Sequence, residues 1–253
     1  MDFPFTSALV TGASSGIGEA MAGLLGEAGV PTVVVARRTD RLAELAERHR
    51  SIEVLSADLT TSRGRSSVEV RAAECDLVVN NAGFGTSGAF HELAAARLSK
   101  EVALNVDALT RISHAALAAM VPRRRGYLLN VSSVASFQAA PNLAVYAATK
   151  AYVTSLTESL HEEVRGTGVH VTALCPGLTR TEFQSVSNSA EYATQYPGFA
   201  WLTPEEVASA GLRDVAAGKA VSVPGLLYKG LVSASAITPR GLSRRLTGLV
   251  LRK

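Results

Sequence analysis

The sequence predicts a single-domain α/β fold, a doubly wound parallel sheet with helices on both faces. Short apolar, β-branched runs alternate regularly with longer helix-like segments, the pattern that builds parallel sheets through strand–helix crossovers. Runs such as Val33-Val34-Val35 are apolar without a period of two, as strands are when helices cover both of their faces. The chain has 253 residues, 47% of them hydrophobic and 19% charged. That is ample for one large core and wrong for disorder.

Strands are expected at Ala8–Thr11, Thr32–Val35, Ile52–Leu55, Asp76–Val79, Tyr127–Val131 and His170–Leu174, with a last one at Ala220–Val223. Helices are expected near 16–29, 40–49, 63–73, 93–121 and 145–165. The breakers fall where this scheme needs them. Gly29 and Pro31 close the first helix, Pro122 ends the long one, and Gly166 and Gly168 end the helix that starts at 145. No linker, internal repeat or low-complexity block interrupts the series. Residues 180–202 differ, being polar, aperiodic and rich in Ser, Thr, Tyr and Phe, and are expected to form a substrate lid.

The turn Thr11-Gly-Ala-Ser-Ser-Gly-Ile-Gly18 follows the first strand and opens the first helix. Gly12 allows the tight turn, Gly16 the approach of backbone to a pyrophosphate, and Gly18 close helix–sheet packing. The helix N-terminus offers free N–H groups and a positive dipole end to phosphates. At the end of the second strand an NAD-preferring site offers an acid to the ribose 2′-hydroxyl. Here the chain reads Ala36-Arg37-Arg38, with no acid between Val33 and Thr39. Guanidinium groups suit a 2′-phosphate, so NADP(H) is expected over NAD(H), with one arginine of the pair facing solvent.

Tyr146 and Lys150 lie four residues apart in Tyr-Ala-Ala-Thr-Lys and so share one face of a helix. A phenol, with a pKa of about 10, is a poor proton donor or base at neutral pH. A lysine cation beside it is expected to bring it towards the working range. Ser132 and Ser133 close the fifth strand, at the carboxyl end where open α/β sheets bind ligands. Adjacent strand residues point to opposite faces, so only one of the two reaches the pocket.

These residues in this order resemble the short-chain dehydrogenase/reductase family, from about Ala8 to Thr181. The match comprises the glycine turn at 11–18, Asp58 after the third strand, Asn80-Asn81-Ala82-Gly83 after the fourth and Asn105 in the long helix. Ser133, Tyr146 and Lys150 follow, then Pro176-Gly177 with Thr181. The resemblance implies a Rossmann-like fold in which Gly12, Ser14, Ser15, Gly16, Ile17 and Gly18 hold the pyrophosphate. It places Asp58 at the adenine, with Leu59 also among the cofactor-binding residues, Asn81, Ala82 and Gly83 along the cofactor groove, and Pro176, Gly177, Thr179 and Thr181 at the nicotinamide end. Tyr146 becomes the proton donor, Ser133, at the family's spacing of thirteen residues, the stabiliser of the substrate oxygen, and Lys150 a partner of the nicotinamide ribose. Asn105 supports Lys150 through an ordered water. Relatives commonly pair through the two long helices, so a homodimer or homotetramer is expected.

The rest of the chain narrows the chemistry. His49, His91, His114, His161 and His170 stand in no hydrolase context, and no cluster of metal ligands is present, so no metal is expected. Cys75 and Cys175 sit in or beside apolar runs and read as buried thiols of a reducing cytoplasm. The Met1–Phe5 stretch has no basic or apolar signal region, and no apolar run approaches a spanning length, so a soluble cytoplasmic protein is expected. Net charge is only +3, yet from Val215 onward there are seven bases and no acid. With Leu242, Leu246, Leu249 and Val250 at helical spacing, the basic tail at 238–253 suits an anionic membrane surface or a neighbouring subunit. No nucleic acid is expected as a partner.

The lid's Phe183, Tyr192, Tyr196, Phe199 and Trp201 point to an apolar carbonyl substrate, such as a ketoacyl chain or a steroid-like lipid. The resulting expectation is NADPH-dependent reduction of a carbonyl to an alcohol. The alternatives are NAD-dependent oxidation of a secondary alcohol and, from another class, a non-catalytic nucleotide-binding regulator.

Overall fold

The computed structural model describes residues 2–188, 196–238, 241 and 244. Seven parallel strands form one sheet: β1 (Ala8–Thr11), β2 (Thr32–Ala36), β3 (Ile52–Ser56), β4 (Leu77–Asn80), β5 (Gly126–Val131), β6 (Val169–Leu174) and β7 (Val221–Ser222). Their order is β3-β2-β1-β4-β5-β6-β7, with all six pairings parallel. The chain therefore winds outward in both directions from β1 and β4. Their carboxyl ends form the switch point at which such sheets bind ligands.

Helices α1 (Gly16–Glu27), α2 (Thr39–Arg48) and α8 (Pro204–Ala216) cover one face, and α3 (Ser62–Glu74), α5 (Leu109–Met120) and α6 (Ala144–Glu163) the other. Two cores result. Ala8 and Val10 of β1 meet Met21, Leu25, Leu42 and Leu212 on one side, while Leu9 meets Val68, Ile112 and Met120 on the other. Because successive side chains enter opposite cores, both kinds of position must be apolar, which is why the strands lack alternation.

The expected helix at 93–121 needs correction. It runs as α4 (Ala95–Val102), a π-helical segment at Ala103–Ala108, and α5. Both junctions keep right-handed helical dihedrals, so the rod is continuous but holds one wide stretch. A short turn, α7 (Phe183–Val186), and α9 (Leu226–Ile237) follow, with short 3₁₀ turns at Phe90–Glu92, Val134–Phe137 and Gly198–Ala200. None of these is long and apolar enough to cross a membrane.

Beneath the switch point a buried polar ladder locks the strand ends. Asn80 Nδ2 donates to Asn130 Oδ1 at 2.9 Å and to Ser113 Oγ at 3.0 Å, and Asn130 Nδ2 donates to Thr157 Oγ1 at 3.0 Å. The amide nitrogens of both residues find acceptors, so the ladder ties β4 and β5 to α5 and α6, while Asn80 Oδ1 is buried without a partner.

Candidate active site

At the switch point Thr11 stitches β1 to β4. Its Oγ1 donates to Val79 O at 3.2 Å and accepts from the backbone N–H of Asn81 and Ala82 at 3.0 and 3.1 Å. Asn81 returns the contact through Nδ2, to Thr11 O at 3.0 Å and Gly12 O at 3.2 Å. That amide leaves no room for a side chain at position 18, where a Cβ would stand 2.3 Å from Asn81 Nδ2. Gly16 has φ +59°, and a Cβ there would meet the Thr181 methyl group at 2.9 Å. Ser15 is the N-cap of α1, yet its side chain makes no capping bond. The first-turn amides of a 12-residue helix are thus left facing a glycine-lined cradle. This arrangement fits a dinucleotide pyrophosphate.

Asp58 follows β3. Its Oδ1 accepts from Thr60 N at 2.9 Å and from Thr60 Oγ1 at 2.7 Å. Burial pushes this carboxyl up, but the two Thr60 bonds and the charges of Arg37 and Lys100 outweigh it and hold it below the usual range. Leu59, expected among the cofactor-binding residues, is buried in the core shared with Val68 and Ala72. Arg37 is exposed. Arg38 turns back to the glycine turn, donating from Nε to Ser14 Oγ and from Nη2 to Ser14 O, both at 3.2 Å. Its Nη1 donates to Glu182 Oε2 at 2.8 Å.

The structure separates the two serines at the end of β5. Ser132 Oγ is buried against α6, donating to Lys150 O at 2.9 Å and lying 2.7 Å from Thr154 Oγ1. Ser133 faces the other way: its Oγ accepts from Ala135 N at 3.1 Å and its hydroxyl lies against the Tyr146 phenol. One turn along α6, Lys150 lies beneath the ring, its Nζ 5.7 Å from the ring centroid and donating to Val131 O at 2.7 Å. Ser133, Tyr146 and Lys150 are therefore brought together as the sequence led one to expect.

Asn105 is buried in the π-helical segment. Its Oδ1 accepts from Phe84 N at 3.1 Å, and its Nδ2 donates to Phe84 O at 2.8 Å and to Thr149 Oγ1 at 3.1 Å. Its direct partners are thus the Phe84 backbone and Thr149, next to Lys150. A Cβ on Gly83 would lie 3.0 Å from Asn105 Oδ1 and 3.6 Å from Lys150 Nζ, so only glycine lets the two approach from either side.

Electrostatics overturn one expectation. Tyr146 is not brought down by its neighbour: burial pushes its phenol up to about 12, against the hydrogen bond from Ser133, with Glu101 and Cys175 adding to the rise. Burial lowers Lys150 to about 8, while Cys175 and Glu101 oppose the fall. Loss of hydration dominates both groups. At pH 7 the phenol is neutral and the ammonium still mostly charged.

Glu101, which the sequence did not single out, is fully buried in α4. Neither of its carboxyl oxygens makes a hydrogen bond of good geometry. Burial raises its pKa, and the neighbouring Thr86 hydroxyl, Arg97 and Lys150 oppose that rise. An acid in a helix of mean polarity gives no sequence signal of such a position. Both cysteines are free and buried, their thiols pushed up to about 11 by burial. No group of metal-binding side chains occurs among the described residues.

The segment after β6 lies over the site. Leu202 N donates to Leu178 O at 2.9 Å and Arg180 N to Leu202 O at 3.0 Å, which joins the two ends of the expected lid. Phe183 packs on Tyr146 with ring centroids 5.2 Å apart. A Cβ at Gly85 would stand 3.1 Å from both rings. Thr179 is buried, and its Oγ1 donates to Gly177 O at 3.1 Å; Pro176 O accepts from Val134 N at 3.0 Å. Tyr228 of α9, another residue missed, has its ring against Gly177, where a Cβ would lie 2.1 Å away. Its hydroxyl accepts from Leu178 N at 3.0 Å and donates to Ala200 O at 2.6 Å. Trp201 lies under the Arg180 guanidinium, 5.9 Å from ring to carbon, and Phe199 is exposed. Tyr192 and the tail's Leu242, Leu246, Leu249 and Val250 lie outside the described residues.

The family model of the short chain dehydrogenases matches residues 6–192. The chain belongs to this family. An uncharacterised oxidoreductase of Myxococcus xanthus is 35% identical over 196 residues, covering 74% of this chain and 77% of its own. Among solved structures, a short-chain dehydrogenase from Sphingobium yanoikuyae in complex with NADPH superposes with a TM-score of 0.82 at 32% identity, over 91% of this chain and 93% of its own. A bulky-bulky ketone specific alcohol dehydrogenase from Comamonas testosteroni gives a TM-score of 0.76 at 30% identity, over 93% and 95%. As a short-chain dehydrogenase the chain is an oxidoreductase of the nicotinamide-using, Rossmann-like kind, acting on small molecules.

Proposed function

We propose that this short-chain dehydrogenase is an NADPH-dependent carbonyl reductase acting on an apolar, bulky ketone or ketoacyl compound. The observation that carries the reading is the cluster of Ser133, Tyr146 and buried Lys150 at the carboxyl end of β5, with Lys150 Nζ 5.7 Å from the Tyr146 ring centroid. A dinucleotide held at the Gly12–Gly18 turn would supply the hydride that reduces the carbonyl carbon. Tyr146 Oη donates its proton to the carbonyl oxygen, and Ser133 Oγ hydrogen-bonds the charge that develops there. The Lys150 ammonium, held by Val131 O, stabilises the phenolate left behind. A neutral phenol at working pH suits donation, hence reduction.

For NADPH over NADH, the support is the Arg37–Arg38 pair at the end of β2, with Arg38 beside Ser14, and the absence of an acid there, in keeping with the NADPH held by the Sphingobium relative. For the substrate, it is the apolar ring of Phe183 packed on Tyr146, in keeping with the bulky ketones of the Comamonas relative. The chain as a whole is taken as one catalytic domain with residues 180–202 as its lid. A homo-oligomer is also part of this reading, formed through the apolar face of Phe90, Val102, Val106, Ala144, Val145 and Ala148.

Tyr146→Phe tests the chemistry. We expect turnover to fall at least about a thousandfold while NADPH affinity stays within about twofold of wild type. Wild-type turnover by that variant would refute the assignment.

A further inference from the structure

The cofactor reading gives the Arg37–Arg38 pair to the 2′-phosphate, and in the structure the Arg38 guanidinium, the one turned to the glycine turn, is already engaged. Its Nε and Nη2 face Ser14, through Oγ and the backbone carbonyl, each at 3.2 Å. That is one complete edge of the fork. The other edge, Nη1 with the second hydrogen of Nη2, is the one left for bidentate binding of an oxyanion. There Nη1 donates to Glu182 Oε2 at 2.8 Å.

Glu182 sits at the start of α7, one residue after Thr181, whose methyl group covers Gly16. Its carboxylate also meets the Ser15 hydroxyl and feels Arg41. Glu182 therefore occupies, with a carboxylate's charge and geometry, the place where a phosphate would take the free edge of Arg38. A dianionic phosphate arriving there must displace it and then suffers its repulsion if it stays near.

Resting on the assignment of Arg38 to the 2′-phosphate, we propose that Glu182 is a cofactor-specificity residue: its carboxylate competes with the 2′-phosphate of NADP(H) for Arg38 and lowers the enzyme's discrimination against NAD(H). A ligand without the 2′-phosphate leaves the Arg38–Glu182 pair intact and gains nothing from its removal. The side chains are each 44% exposed, so water weakens the pair and the effect is a moderate one. By reciprocity, filling the 2′-phosphate position frees Glu182 from Arg38 and loosens the hold of the β2 end on the lid.

The probes are two adenosine nucleotides, 2′,5′-ADP and 5′-AMP, titrated calorimetrically into wild type, Glu182→Gln and Glu182→Ala. Wild type should bind 2′,5′-ADP more tightly than 5′-AMP. Both variants should bind 2′,5′-ADP about threefold or more tighter than wild type, with 5′-AMP unchanged, which also shows that the adenosine site is intact. NADPH and NADH should repeat the pattern. If wild type prefers 2′,5′-ADP but neither variant strengthens it, or both nucleotides gain equally, Glu182 is no competitor and the proposal falls alone. If neither wild type nor the variants distinguish the two nucleotides, the assignment of Arg38 fails and takes the proposal with it.

Discussion

Beside Tyr146, the Lys150 ammonium exchanges its water for a hydrogen bond to Val131 O and loses by it, since burial drops its pKa from 10.5 to about 8. The unfolded chain binds that proton more tightly than the folded one. Stability is therefore reduced in full below pH 8, and the penalty fades as pH rises towards 10.5. The difference is worth about 3 kcal/mol. Lys150→Met should accordingly unfold at no lower urea concentration than wild type at pH 7, although reductase activity is lost; a clearly lower midpoint would contradict this. The charged lysine is also the working form, so kcat/KM for reduction should fall as pH rises through about 8, and a profile flat to pH 10 would count against its role. The spacing of Tyr146 and Lys150 was legible because a helix repeats every 3.6 residues whatever surrounds it. Tyr146's raised pKa and Glu101's burial were not, because both depend on what other segments bring against them.

At the scale of elements, the alternation of strands and helices was readable almost to the residue: β1 and β3 begin where expected and α6 differs from its expected span by a residue or two. The π-helical segment was invisible. One extra residue in a wide turn barely shifts the apolar period of a long helix, yet it marks the stretch that turns Asn105 onto the Phe84 backbone. The lid's anchor was equally hidden, since Tyr228 is a single aromatic in an apolar helix and nothing local says that it fills the space over Gly177. Tyr228→Phe removes a buried hydroxyl that serves Leu178 and Ala200. It should cost about 1–3 kcal/mol by urea unfolding and raise KM for the ketone more than it lowers kcat. An unchanged midpoint would show that the hydroxyl does not hold the lid.

For the whole molecule, the two cores and the switch point between β1 and β4 follow from strands with apolar residues at every position, so fold and cofactor groove were both legible in the sequence. The outer surface was less so. Phe90 and Val102 are 61% and 44% exposed beside the groove between α4 and α6, the face that the proposed oligomer would cover. Val102→Arg should shift the mass in light scattering towards the monomer, and an unchanged mass would exclude this face as the interface. The central claim concerns the dinucleotide, and it can be tested without knowing the substrate. NADPH and NADH are titrated separately into the wild-type protein, following the heat of binding and the quenching of its single tryptophan, Trp201. The account predicts binding of NADPH about tenfold or more tighter than NADH; equal affinities, or a preference for NADH, would contradict it.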